Sequence, residues 1–188
     1  MARSPVELLA AALDEAGRLV EGIGPDQWDR PTPCAEWSVG DLTGHLVAGN
    51  RLFARALRED LPPAAPVEQD RYAAALRQSA DDLLAAFTAP GALERVVVVP
   101  FGRVPGIVAL HLRLVEALVH GWDLASATGQ AVRFDDESAE RGLEFSRAKL
   151  SEVPADRSPF GPPQPVDPHA PVLSRLVALL GRAVPQDG

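Results

Sequence analysis

The chain contains one cysteine, Cys34, in 188 residues. A lone cysteine excludes an internal disulfide and any cysteine-cluster metal site, and it suits a reducing compartment, so the cytoplasm is the expected location. Positive charge is also short: 18 Lys and Arg face 26 Asp and Glu, and Lys149 is the only lysine. A net charge of −8 argues against nucleic acid and anionic membrane as partners, because neither would gain from counterion release. No apolar run is long enough for a membrane span, and Met1-Ala2-Arg3-Ser4-Pro5 leads into an amphipathic pattern with no signal-peptide core. Aromatic residues make up only 5%, whereas alanine and leucine abound, which favours helices over sheets. A Gly-rich phosphate loop and the Gly-x-Ser-x-Gly nucleophile turn are both missing.

What is present reads as an all-α bundle. Ser4-Pro5-Val6-Glu7 is a capping box with proline at the first helical position, followed by an apolar stripe of Val6, Leu9, Leu13, Ala16, Val20 and Ile23 that Gly24-Pro25 ends. A connector bounded by Trp28 and Trp37 and stiffened by Pro25, Pro31 and Pro33 leads to a second cap, Ser38-Val39-Gly40-Asp41. The helix after it presents Leu42, Leu46, Gly49, Phe53 and Leu57 before Pro62-Pro63, and a third is expected from about Val67 to Ala89. Arg95 to Val104 is β-branched and short, an extended segment or minimal hairpin. Pro105 opens a fourth helix running to Thr128 with Gly129 as its cap, and Asp135 opens a fifth to Leu150. Seven prolines between Val153 and Pro171 make an irregular excursion, and a short helix from Pro171 to Leu180 follows. Residues 1–130 are thus expected to form the helical bundle, with 131–188 packed on it as part of a single domain.

The fourth helix is apolar almost all round yet carries Glu116, His120 and Asp123. Glu116 and His120 stand four apart, about 40° round the helix and one turn along, so they share a face. Burying a carboxylate and an imidazole is costly without compensation. A divalent metal ion bound by Glu116, His120 and His45 of the second helix would compensate them, with the position left open that catalytic sites of the zinc type keep. The alternatives are a hydrogen-bonded core histidine at position 45 and a buried hydrogen-bonded pair at 116 and 120. Asp123 suits orientation of an imidazole or water better than direct ligation. His111 falls about 180° from His120 and should face a surface or another helix. His169 lies in the proline-rich excursion, and Cys34, with nothing basic beside it in sequence, reads as an inert thiol. Trp122 is a packing residue, while Asn50 and Arg113 are candidates for contact with a substrate carboxylate or a thiol.

Thr32-Pro33-Cys34-Ala35-Glu36-Trp37-Ser38 leading into Asp41-Leu42-Thr43-Gly44-His45-Leu46 has a recognisable look when followed by Pro100-Phe101-Gly102, His120-Gly121-Trp122-Asp123-Leu124-Ala125 and Thr128-Gly129-Gln130. So do the tail stretches Phe160-Gly161-Pro162-Pro163 and Leu179-Leu180-Gly181-Arg182. Together these resemble the actinobacterial metal-binding proteins of the DinB-like superfamily, related to the N-terminal domain of mycothiol-dependent maleylpyruvate isomerase. The resemblance implies a four-helix bundle of up-down-down-up topology and a divalent ion, zinc first and nickel as the alternative, on His45, Glu116 and His120. It also implies a low-molecular-weight thiol such as mycothiol at the open metal position and an electrophilic small-molecule substrate. A thiol-dependent transferase or isomerase is then the first expectation, and a non-catalytic metal-binding bundle serving as a structural or interaction module is the second. A homodimer is compatible with such a bundle, although no exposed stripe marks its interface.

Overall fold

The computed structural model describes residues 3–35, 37–58, 66–100, 102–150 and 160–185. Four helices form the bundle: α1 (Pro5–Glu21), α2 (Val39–Leu57), α3 (Tyr72–Thr88) and α4 (Gly106–Thr128). The order is completed by a hairpin of β1 (Val96–Val99) and β2 (Gly102–Pro105), and by α5 (Asp136–Leu150) and α6 (Val172–Leu179). Both expected capping boxes are made, Ser4 with Glu7 and Ser38 with Asp41, and each satisfies orphan amides at its helix start.

Four contacts give the directions of the helices. Gln130, just past α4, donates to the Leu19 carbonyl near the end of α1, so these two run parallel. His45 meets Glu116 and Asn50 meets Arg113, so α2 opposes α4. Asn50 pairs with Ser79 and Gly44 abuts Tyr72, so α3 follows α2, while Arg77 of α3 pairs with Glu21 at the far end of α1. The bundle is therefore up-down-down-up, with α1 packed on α3 and α4, and α2 packed on the same two. Leu9, Leu19, Leu42, Leu46, Leu83, Leu110, Leu114 and Leu118 have no exposed surface. Each contributes roughly 1.5–3 kcal/mol by leaving water, which makes the interior the dominant stabilising term.

Local chemistry moves several boundaries. Helix α1 stops at Glu21 rather than at Gly24-Pro25, because the Gly22 amide bonds back to the carbonyls of Arg18, Leu19 and Val20 and closes the last turn. At the third helix, Gln69–Arg71 forms a 3-10 turn and α-helix begins only at Tyr72, later than the expected Val67. The extended segment is a hairpin pairing Val96 with Pro105 and Val99 with Gly102; Val97 and Val99 enter the core while Val96 and Val98 face out, the period of two that a half-buried strand requires. Asp135 caps α5 from outside, accepting the Ser138 amide at 2.8 Å. The expected turn at Pro62-Pro63 and the first part of the proline-rich excursion lie outside the described residues. Residues 160–171 are irregular, as their prolines demand, and α5 and α6 pack on one another and on α4. Among the described residues no helix is long and apolar enough to cross a membrane.

Candidate metal centre

The fold brings His45, Glu116 and His120 together between α2 and α4, with one potential ligand atom from each within 4.8 Å of the others. His45 Nε2 lies 2.8 Å from Glu116 Oε2, and His120 Nε2 lies 3.5 Å from the same oxygen. The side chains are graded in depth, 35% exposed at His45, 16% at Glu116 and 7% at His120, so the group opens to solvent on the His45 side. Trp37 closes one flank, with its ring centroid 4.5 Å from that of His45 and 6.1 Å from that of His120. Its segment is pinned by Thr32, whose hydroxyl donates to the Trp37 carbonyl at 2.9 Å, and by a bridge from Pro31 to Ser38.

Two buried arginines balance the two carboxylates. Arg113, 1% exposed, sets Nη1 3.4 Å from Glu116 Oε2 and donates from Nη2 to Asn50 Oδ1 at 2.8 Å. It fits there because position 49 is glycine: a Cβ at Gly49 would run into the guanidinium. On the other side Asp123, with no exposed surface, accepts from His120 Nδ1 at 3.1 Å and from the Arg182 fork at 2.8 and 3.2 Å. Burial by itself would raise the Glu116 pKa, but the bonds from His120 and His45 and the charge of Arg113 prevail and hold it well below 4.5. Burial likewise pushes the His120 imidazole down, and Asp123 and Glu116 outweigh it, so its pKa lies above the ordinary 6.5.

The donor set fits a divalent ion. With Nδ1–H given to Asp123, a neutral His120 turns the lone pair of Nε2 toward a carboxylate oxygen 3.5 Å away. Two acceptors that close repel unless a proton or a cation lies between them, and two imidazoles with one carboxylate are a ligand set suited to zinc. Cys34, His120 and Asp123 form a second group of ligand-type atoms. There, however, the Arg182 guanidinium already occupies both Asp123 oxygens, so a cation is in place.

Asn50 and Arg113 are corrected by the structure. Both are sealed in the interior and bonded to each other, so their polar groups serve Glu116 rather than a substrate entering from solvent. His111 is an inter-helix residue: its ring stacks on Phe145 of α5 at 5.2 Å and its Nδ1 donates to the Ile107 carbonyl. His111→Ala should cost about 1 kcal/mol for the lost ring contact and leave the His45–Glu116–His120 group intact, which denaturation and metal titration of the variant would check. His169 stands apart, in an exposed turn held by Asp167. Cys34 does have a basic neighbour in space, Arg182, yet burial outweighs it and raises the thiol pKa. Its reaction with a disulfide reagent should therefore be slow at neutral pH and accelerate only above the usual thiol range, in a rate–pH profile.

Sequence reasoning missed Trp37 and Arg182 as parts of this group. For Trp37 a signal existed, since an aromatic directly before the Ser38 cap is placed at the N-terminal end of the helix that carries His45. For Arg182 no local pattern points inward; its partner is 59 positions away.

The family model described as the mycothiol maleylpyruvate isomerase N-terminal domain matches residues 9–125. Two uncharacterized proteins of Mycobacterium tuberculosis, from strains H37Rv and CDC 1551, are each 36% identical to this chain over 174 residues, covering 92% of it and 94% of their own length. The crystal structures of mycothiol-dependent maleylpyruvate isomerase and of a histidine-to-alanine mutant of it superpose with TM-scores of 0.60 and 0.61 at 17% identity. Each alignment covers 78% of this chain and 68% of the other, and at that identity it speaks to the shared fold.

Proposed function

We propose a metal- and thiol-dependent transferase or isomerase function for this chain, which belongs to the family of mycothiol maleylpyruvate isomerase N-terminal domains. The observation that carries the reading is the convergence of two imidazole Nε2 atoms on one carboxylate oxygen, in a group between α2 and α4 that opens to solvent at His45. His45, Glu116 and His120 would hold the ion, zinc first and nickel as the alternative. Such an ion would supply Lewis acidity, lowering the pKa of a bound thiol, mycothiol or a similar small thiol, so that it could react as a thiolate with an electrophilic substrate at neutral pH.

The protein's own contribution is orientation and charge. Asp123 keeps the His120 proton on Nδ1 and its Nε2 free for ligation. Glu116 is held ionised by the bonds from His120 and His45 and by the charge of Arg113, and Asp123 is paired with Arg182, so the two carboxylates and two guanidiniums sum to about zero charge. These side chains would therefore be close to neutral together before a cation enters. Trp37 lines the flank and covers one side of both imidazoles.

The test has two arms. Protein purified without a histidine tag and dialysed against zinc should retain close to one equivalent, and retention below about a tenth of an equivalent would sink the metal reading. The loaded protein should then be stabilised by mycothiol at saturation, by roughly 2.7 kcal/mol at a hundredfold excess over Kd. That corresponds to a midpoint rise of roughly 5–10 °C in a chain of this size. Zinc retention with no thiol shift would favour the non-catalytic metal-binding bundle.

A further inference from the structure

We propose that Arg182 is a positioning residue: acting through Asp123, it fixes the ring orientation and tautomer of His120, so that the C-terminal segment is part of the metal centre. The claim rests on the reading of His120 as a ligand, but its first measurement does not depend on metal.

Asp123 has no exposed surface, and burying a carboxylate is costly unless an opposite charge and further hydrogen bonds meet it. The single N–H that a neutral His120 offers is not enough. Arg182 supplies the charge in fork geometry, Nε to Oδ1 at 3.2 Å and Nη2 to Oδ2 at 2.8 Å, while its Nη1 donates to the Leu180 carbonyl at 2.9 Å. Two parallel bonds set the plane of the carboxylate as well as its charge. Oδ2 is thereby left facing His120 Nδ1 as a fixed acceptor, which selects the tautomer with the proton on Nδ1 and Nε2 free. Removing the guanidinium would leave Asp123 without its fork, free to rotate, and the fixed acceptor for Nδ1–H would be lost.

The placement of Arg182 is itself built in. Leu173, Leu176 and Val177 of α6 are buried in the core, which anchors the helix on α4 and α5. The Arg182 amide bonds back to the Val177 carbonyl, and the Gln164 amide bonds to the Ala178 carbonyl, tying the irregular segment before α6 to its end. The chain thus returns across α4 and delivers one cation beside His120. Arg182 lies beyond residues 9–125, the stretch that the family model matches.

The experiment compares Arg182→Ala, Arg182→Lys, Asp123→Asn and the Asp123→Asn/Arg182→Ala double variant with the wild type. Nitrogen-15 NMR of the metal-free proteins, at a pH high enough for His120 to be neutral, reads its tautomer, and competition with a chromophoric chelator reads zinc affinity. The wild type should show the Nδ1–H tautomer, and Arg182→Ala should lose that preference and bind zinc about 10- to 100-fold more weakly. Arg182→Lys keeps the charge but not the fork, so it should fall between them. In the Asp123→Asn background the arginine replacement should cost less than about twofold more, because the acceptor it orients is already altered. A wild-type tautomer and unchanged zinc affinity in Arg182→Ala and Arg182→Lys would overturn the proposal, as would an equal loss in both Asp123 backgrounds. If Arg182→Ala does not fold, Arg182→Lys decides on the same readouts. If the wild type binds no zinc, the functional reading fails and the tautomer alone decides the role of Arg182.

Discussion

Glu116→Ala should abolish zinc retention and destabilise the bundle by about 3–5 kcal/mol, because it strips the charge partner from a guanidinium that has almost no access to water. Glu116→Gln keeps the volume and a hydrogen-bonding oxygen but removes the charge, so it should lose metal as fully while costing less stability. Equilibrium denaturation with metal analysis separates the two effects, and a Glu116→Ala protein as stable as wild type would refute the pairing with Arg113. The pH dependence follows from the same geometry. The folded-state pKa of Glu116 is depressed, so its stabilisation is fully present above its ordinary value of 4.5 and is lost as pH falls through the lower folded value. His120 is shifted the other way: in metal-free protein its proton stabilises the fold below 6.5, and that contribution is lost as pH rises through the higher folded value. Zinc competes with that proton, so affinity should keep climbing with pH past 6.5 before it levels, a profile that chelator competition would trace.

Gly106→Ala should be at least as damaging to the fold, by about 3 kcal/mol or more. A Cβ at Gly106 would collide with the backbone carbonyl of Ala92 and press on the Cα of Leu93, backbone atoms that cannot rotate away as a side chain can. The residue sits where the hairpin meets the first turn of α4, with its amide bonded to the Arg95 carbonyl at 2.8 Å and the Ile107 amide to the Leu93 carbonyl at 2.8 Å. Relief would require α4 to move relative to the hairpin, and α4 carries Glu116, His120 and Asp123. Thermal unfolding measures the first consequence and zinc affinity of the folded fraction the second; an unperturbed melting point would show that the joint is looser than its contacts imply.

Helix starts were the easiest features to read, since a capping box is a local exchange between a residue and the one three positions on, as at Ser4–Glu7 and Ser38–Asp41. The ends were harder. Where α1 stops depends on the Gly22 amide closing the last turn rather than on the next proline, and the start of α3 depends on a short 3-10 turn that shows no apolar period. Within the candidate site, Glu116, His120 and Asp123 share a helix face that 3.6-residue periodicity dictates, and His45 followed as a histidine on another core-facing helix.

The role of Arg113 could not be read in the same way. From the sequence it reads as a candidate contact for a substrate carboxylate or a thiol, and only the packing of α2, with glycine at position 49, shows it to be an interior counter-ion. The sequence by itself determined the helical class, the helix that bears the carboxylate and imidazole, and the capping boxes that start α1 and α2, because hydrogen bonds and hydrophobic periodicity act over a few residues. Tertiary structure alone decided that Trp37 walls the site and that Arg182 reaches Asp123 across 59 positions. The reason is physical: a buried charge is settled by whichever opposite charge the fold brings within hydrogen-bonding distance, and separation along the chain does not enter that energy.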